Sequence, residues 1–68
     1  MTLDDIKDDI RVHLLLNPGI GWEQLVAKTE EAHPMFANRV RELINKMHDD
    51  NEIARQGELA YLVNAVTT

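Results

Sequence analysis

The spacing of apolar residues changes once along this chain, at Asn51, and that change limits the folds that the chain can adopt. Before Asn51 the apolar side chains recur every three or four residues, which is typical of amphipathic helices. After it they alternate with other residues over two short runs, 52–55 and 58–63, which is typical of strands. We therefore expect an α+β domain in which helices come first and a β-hairpin follows.

Three helices are expected before Asn51. The first begins near Leu3, because Thr2 is a good N-cap and Asp5 stands where a capping box needs an acceptor. It ends at residues 17–19, where the Asn-Pro-Gly sequence combines a helix-breaking proline with a glycine that permits a left-handed turn. Ile20 then lies in a short extended piece.

The second helix is short and the third is long. Gly21 can cap the second, and residues 29–33 are expected to form a turn or a fraying end. The third is expected over residues 34–50, because proline suits the first helical position. Asn51 tolerates the left-handed conformation that ends many helices.

The hairpin is expected to turn at Gln56-Gly57, since glycine supplies the positive φ that a tight turn needs. Alternation places Leu59, Tyr61 and Val63 on one side of the second strand, with Tyr61 toward the core, and residues 64–68 form a loose tail. The residues expected to be buried together are Ile10, Leu14, Leu25, Val40, Leu43, Ile44 and Ile53.

Length and composition exclude several classes of protein. A chain of 68 residues forms one domain, residues 1–68, and is small enough for dimerisation to help its stability. It has no cysteine for a disulfide or a Cys-based zinc site, no apolar run that could span a membrane, and an acidic rather than a basic first segment. We expect a cytoplasmic protein.

No arrangement of residues typical of catalysis is present. Asp9 and His13 have the i, i+4 spacing that can chelate a metal, but no third ligand is evident. No Ser-His-Asp set or glycine-rich phosphate loop occurs, and a chain this short has little concave surface. We expect no enzyme, cofactor, metal or small-molecule substrate.

Residues 34–48 form a basic segment in an acidic chain. They carry three basic side chains against one acidic, whereas residues 1–33 carry three and seven and residues 49–68 carry one and four. The net charge of −5 argues against indiscriminate binding of nucleic acid, which depends on basic groups displacing counterions from phosphates. Specific binding through the basic segment is left open.

The order helix, extended link, helix, turn, long helix and hairpin resembles the winged helix-turn-helix domain of small DNA-binding transcription regulators. Residues 18–27 are similar to the link and second helix of that family. The residues that resemble its third helix and the entry into its wing are Val40, Ile44, Met47, Asn51 and Ile53. The resemblance implies a three-helix domain with a C-terminal two-stranded β-hairpin wing.

The resemblance further implies that the third helix enters the major groove of double-stranded DNA and that the wing contacts its backbone. The residues expected to contact DNA are Asn38, Arg39, Arg41, Asn45, Lys46, Arg55 and Gln56. Asn38, Arg41 and Asn45 suit base edges, since arginine can donate twice to guanine and asparagine can bond adenine. The others suit phosphates or the wing. The function implied is sequence-specific transcriptional regulation by a homodimer, of the kind carried by phages, plasmids or compact operons.

A second interpretation places the partner on the first helix. Its outer side begins acidic and ends apolar, a surface that could bind a protein, pair two copies or mimic the phosphates of DNA. The residues of this alternative protein-binding face are Asp5, Asp8, Asp9, Val12 and Leu16. The chain would then be an inhibitor, a DNA mimic or an assembly adaptor. Fold does not decide between these functions, and each surface is also compatible with simple solvation.

Overall fold

A computed structural model describes residues 2–63, so the tail predicted over 64–68 lies outside the described residues. This part of the chain is an α+β fold of three helices and a three-stranded antiparallel sheet. The change of apolar spacing predicts the α+β class and the three helices, but not the third strand. Its elements in chain order are α1 (Leu3–Leu16), β1 (Ile20–Gly21), α2 (Trp22–Ala32), a 3₁₀ turn (Pro34–Phe36), α3 (Ala37–Asp49), β2 (Ile53–Gln56) and β3 (Leu59–Leu62).

The predicted hairpin is confirmed, and the extended piece at Ile20 joins it as a third strand. The position predicted for the turn, Gln56-Gly57, is wrong by one residue: Gln56 still pairs with Leu59, and the two turn residues are Gly57, with φ of +61°, and Glu58. β1 pairs with the other edge of β3, where Ile20 lies opposite Ala60. β3 is therefore the central strand of the sheet, and the C-terminal strands do not form an isolated two-stranded hairpin.

The predicted start of α1 and the predicted left-handed residue after α3 are confirmed. The backbone N–H of Thr2 donates to Asp5 Oδ2 at 3.0 Å, which is one half of a capping box. Asn51 has a φ of 65°, and the next N–H, that of Glu52, donates to the carbonyl of Met47 at 2.8 Å. This is the Schellman arrangement, with asparagine in the place that glycine usually takes. It stops α3 and directs the chain into β2.

The turn predicted over residues 29–33 is wrong, because α2 continues through Ala32. Thr29 is fully buried, and its hydroxyl donates to the carbonyl of Leu25 at 2.8 Å. Burial against the core and the helix-forming residues that follow Thr29 outweigh the weak helix propensity of threonine. The chain leaves the helix only at His33.

The helix predicted over residues 34–50 is divided. Pro34 does occupy a first helical position, but it begins the separate 3₁₀ turn. Phe36 then leaves the helical region, with φ of −117° and ψ of 17°, and α3 begins at Ala37. The packing of Phe36 against the core accounts for this break, since its side chain is partly buried there.

The predicted inward face of β3 is also wrong. Ala60 is fully buried and Leu62 packs against the core, whereas Leu59 and Val63 are exposed. Tyr61 lies against Gly19 instead. A period of two shows which residues share a face but not which face is inward, and here the central strand turns its smallest side chain toward the helices.

One apolar core joins all three helices and all three strands. All seven residues predicted to be buried together belong to it. Its members are Ile6, Ile10, Leu14, Ile20, Trp22, Leu25, Val26, Val40, Leu43, Ile44, Met47, Ile53 and Ala60. α3 contributes four of them from one face, which leaves its opposite face to solvent. Among residues 2–63, no helix is long and apolar enough to cross a membrane.

We expect Ile44→Val to lower the free energy of unfolding by about 0.5–1.5 kcal/mol, because it removes a methylene from a fully buried side chain and leaves a cavity. Met35→Ala removes more atoms, but from a side chain that is 89% exposed. It should change the free energy of unfolding by less than about 0.5 kcal/mol. Urea denaturation followed by circular dichroism measures both. Equal effects of the two substitutions would contradict the assigned inner face of α3.

Candidate nucleic-acid interface

The outer face of α3 carries the polar row that the sequence predicts. Val40, Leu43, Ile44 and Met47 take the inner positions of the helix, and its 3.6-residue period turns the remaining side chains outward. Asn38, Arg41 and Asn45 are all exposed. Together with three charged neighbours on the same helix they line a shallow depression: Glu42, Lys46 and Asp49. The base-reading residues predicted for α3 thus share one surface.

Arg41 has a partner that the sequence analysis did not identify. Its two Nη atoms donate to the two carboxylate oxygens of Glu23, at 2.9 and 2.6 Å. Glu23 is the second residue of α2, so this ion pair joins α2 to α3 across the outside of the fold. Both side chains are exposed, and the pair is therefore accessible to a ligand.

Glu23 lies between two basic groups. The hydrogen bonds from Arg41 lower the pKa of the Glu23 carboxyl, and the charges of Arg41 and of Arg55 in β2 lower it further. The same hydrogen bonds raise the pKa of Arg41 above its usual value. Charged groups of α2, α3 and the β2–β3 hairpin, namely Glu23, Arg41 and Arg55, therefore lie close together on the surface.

Trp22 connects this point to the hairpin. The guanidinium carbon of Arg55 lies 4.5 Å from the centre of the Trp22 ring, a cation–π distance, and Arg55 Nε donates to the carbonyl of Gly57 at 2.9 Å. His48 meets the same indole edge to face, with ring centres 5.6 Å apart. Arg55 and Gln56 are both exposed, and Arg55 is held in place by these two contacts.

The two cations predicted to flank the row on α3 lie at its sides. Lys46 is exposed and forms a loose ion pair with Asp50, at 3.8 Å. Arg39 is exposed next to Leu3 and Leu43, and it forms no ion pair with any residue between 2 and 63.

The whole surface is close to electrical neutrality. The four cations are Arg39, Arg41, Lys46 and Arg55, and the six carboxylates around them are Glu23, Glu30, Glu42, Asp49, Asp50 and Glu58, which gives a net charge of −2. By contrast, α1 alone carries four acidic against two basic side chains. α3 itself is the one described helix with more basic than acidic residues, three against two.

The second predicted surface, on α1, is both acidic and apolar. Asp5 and Asp8 are exposed at its first half, and Val12 and Leu16 are exposed at its second half together with Leu15, which the prediction did not include. Leu15 and Leu16 are 66% and 74% exposed. Large apolar side chains this exposed and this close together are uncommon on a small domain.

Asp9 departs from the predicted outer face. Its carboxylate turns toward the start of the 3₁₀ turn, where Oδ2 lies 2.9 Å from Nε2 of His33 and 3.6 Å from Nε2 of His13. His13 Nε2 is buried and has no hydrogen-bond partner among residues 2–63. In that same part of the chain, no set of three His, Asp or Glu side chains is arranged to hold a metal ion.

We expect Arg41→Ala to raise the pKa of Glu23 toward its ordinary value, because it removes the group that lowers this pKa most. Since the folded-state pKa is lowered, the pair stabilises the fold at neutral pH, and this contribution is lost as pH falls through the pKa of Glu23. An NMR titration of the carboxyl carbon measures the change. Arg39→Ala is the matched control, and an equal change in both variants would contradict the pairing.

Comparison of the chain with protein-family models, with characterised proteins and with solved structures found no match.

Proposed function

We propose that this protein is a sequence-specific DNA-binding transcriptional regulator, a small winged-helix domain in which α3 enters the major groove and the β2–β3 hairpin lies on the backbone as a wing. The observation that carries the proposal is the exposed row of Asn38, Arg41 and Asn45 along α3. Arginine and asparagine are the side chains that form paired hydrogen bonds with guanine and adenine. Their spacing places all three on one side of a helix narrow enough for the major groove.

The groups around this row suit the backbone of DNA. Arg39 and Lys46 flank it on α3, and Arg55 and Gln56 lie at the wing, where they can meet phosphates on either side of the groove. The cation–π contact with Trp22 holds Arg55 in place without neutralising it. This arrangement supports a division of roles between base contacts and phosphate contacts.

The near-neutral surface predicts weak non-specific affinity. With three cations for phosphates per copy, Arg39, Lys46 and Arg55, log K should fall with log salt concentration with a slope of about −2.7, which is modest for a DNA-binding protein. Two copies on a palindromic site would double the contacts, and we therefore propose that the active form is a homodimer. Specificity would then depend on the base contacts of two α3 helices.

We expect Arg41→Ala to weaken binding to the preferred site by about 1–3 kcal/mol and to relax its base preference, because it removes a two-point contact with a base. Lys46→Ala, its control on the same helix, should weaken binding to all sequences by similar amounts and make the salt slope less negative by about 1. Fluorescence anisotropy with labelled duplexes at several salt concentrations measures both effects. Protein that binds no duplex in a salt-dependent manner would contradict the proposed function.

A second candidate function is that of a protein-interaction module that binds through α1. The observation that favours it is the exposed apolar group of Val12, Leu15 and Leu16, with the acidic first half of the helix beside it. A partner with a basic, apolar surface would fit this face, whether the protein is an inhibitor, a DNA mimic or an assembly adaptor. The same group could also join two copies of the regulator.

The double variant Leu15→Ser/Leu16→Ser separates these possibilities and should leave the fold intact, since both side chains are exposed. Charge reversal at Asp5 or Asp8 is less suitable, because Asp5 caps α1 and Asp8 pairs with Arg11 at 2.6 Å. If α1 joins two copies, the variant should sediment as a monomer and bind a palindromic duplex more weakly.

If α1 instead binds another protein, the same double variant should retain its oligomeric state and its DNA affinity while losing activity in cells. The matched control is Met35→Ser, which removes an apolar side chain that is even more exposed and is far from α1 in sequence. Sedimentation velocity and anisotropy measure the first two properties, and a reporter assay measures the third. A double variant with the oligomeric state, the DNA affinity and the reporter activity of the wild type would exclude a role for this part of α1.

A further inference from the structure

We propose that Glu23 is a positioning residue that orients Arg41 for guanine and so sets the base preference of α3. The inference rests on the proposed DNA-binding function, and it adds a residue on α2 to the determinants of specificity. Glu23 was not among the residues that the sequence analysis selected. The observation behind the inference is its contact with Arg41, whose guanidinium donates two hydrogen bonds to the Glu23 carboxylate, at 2.9 and 2.6 Å.

The way in which the carboxylate binds leaves a usable edge of Arg41. An arginine has five N–H donors, and Glu23 takes one from each of the two Nη atoms, at the end of the guanidinium. The edge formed by Nε and the adjacent Nη still has two parallel N–H groups. That pair of donors matches the O6 and N7 acceptors of guanine in the major groove. The ion pair and the base contact can therefore exist together.

Glu23 is itself on a fixed part of the chain. The preceding residue, Trp22, is buried, and its backbone N–H donates to the carbonyl of Glu58 at 2.6 Å. The indole is also covered by Arg55. The backbone that carries Glu23 is therefore tied to the β2–β3 turn, and the exposed carboxylate holds Arg41 from this anchored helix start.

Holding Arg41 before DNA arrives has a thermodynamic consequence. A free arginine on an exposed helix has many rotamers and loses that freedom when it binds a base. A guanidinium that is already held in one orientation loses less conformational entropy when it binds a base. The same fixed orientation suits guanine and does not suit adenine, so the guanidinium cannot turn to accommodate the wrong base. The carboxylate should therefore increase discrimination between bases.

The same carboxylate opposes non-specific binding. It adds a negative charge beside the groove, close to Arg41 and Arg55, and so reduces the attraction of this surface for phosphates. Removing the charge should strengthen binding to arbitrary duplexes while weakening the preference for guanine. The affinity for arbitrary duplexes should thus rise while the preference for guanine falls. Loss of folding would lower both quantities, so the two explanations can be distinguished.

The test compares wild-type protein, Glu23→Gln and Glu31→Gln by selection of bound duplexes from a randomised library, followed by measured affinities for the selected site. Glu31→Gln removes the same charge from an exposed position of α2 that forms no ion pair with residues 2–63. We expect Glu23→Gln to reduce the preference for guanine over adenine at one position by about tenfold. Its affinity for unrelated duplexes should rise, and Glu31→Gln should keep the wild-type preference.

Replacing the preferred guanine with 7-deazaguanine gives a second measurement, because this base lacks the N7 acceptor. Wild-type protein should lose affinity by about fivefold or more, and Glu23→Gln should lose little. Unchanged or increased guanine preference in Glu23→Gln, with wild-type protein still selecting a site, would overturn the inference and leave the proposed function standing. Wild-type protein that selects no sequence would overturn both.

Discussion

The inner face of α3 is buried against α1, α2 and β2, and the positions of the five candidate DNA contacts on α3 follow from that burial. Val40, Ile44 and Met47 are fully buried, so the helix cannot rotate about its axis without exposing them. Its outer row is therefore fixed relative to α2 and to the β2–β3 hairpin. The core provides the rigid support that recognition of a base by a few side chains requires.

The near-neutral outer surface and the Glu23–Arg41 pair have a common physical meaning. A strongly basic face binds all duplexes through counterion release, so most of its affinity is independent of sequence and base contacts add only a small share. A face whose cations are matched by carboxylates has a small background, so base contacts contribute a larger share of the total affinity. If the proposed function is correct, the acidity of this chain favours selectivity over affinity, and pairing of two copies restores the affinity.

Local signals explain how much of the fold could be predicted from sequence. The cap at Thr2, the left-handed Asn51 and the period of α3 are determined by neighbouring residues, and each prediction is confirmed. The errors occur where distant residues decide: burial of Thr29 extends α2, and packing selects the inward face of β3. Glu23 was missed for the same reason, since its partner lies 18 positions away. The winged-helix resemblance and the DNA contacts stay predictions.

The pairing of Ile20 with Ala60 has a consequence for how the molecule folds. These two positions are forty residues apart along the chain, yet they are neighbours in the sheet. The β2–β3 hairpin and each helix need only local contacts, whereas the central strand acquires its second neighbour only when the two distant segments meet. Closure of that long loop is an entropic barrier, and we expect it to be the slow step of folding. Until β3 joins, the three helices would lack a finished core, because Ala60 of the central strand is one of its fully buried members.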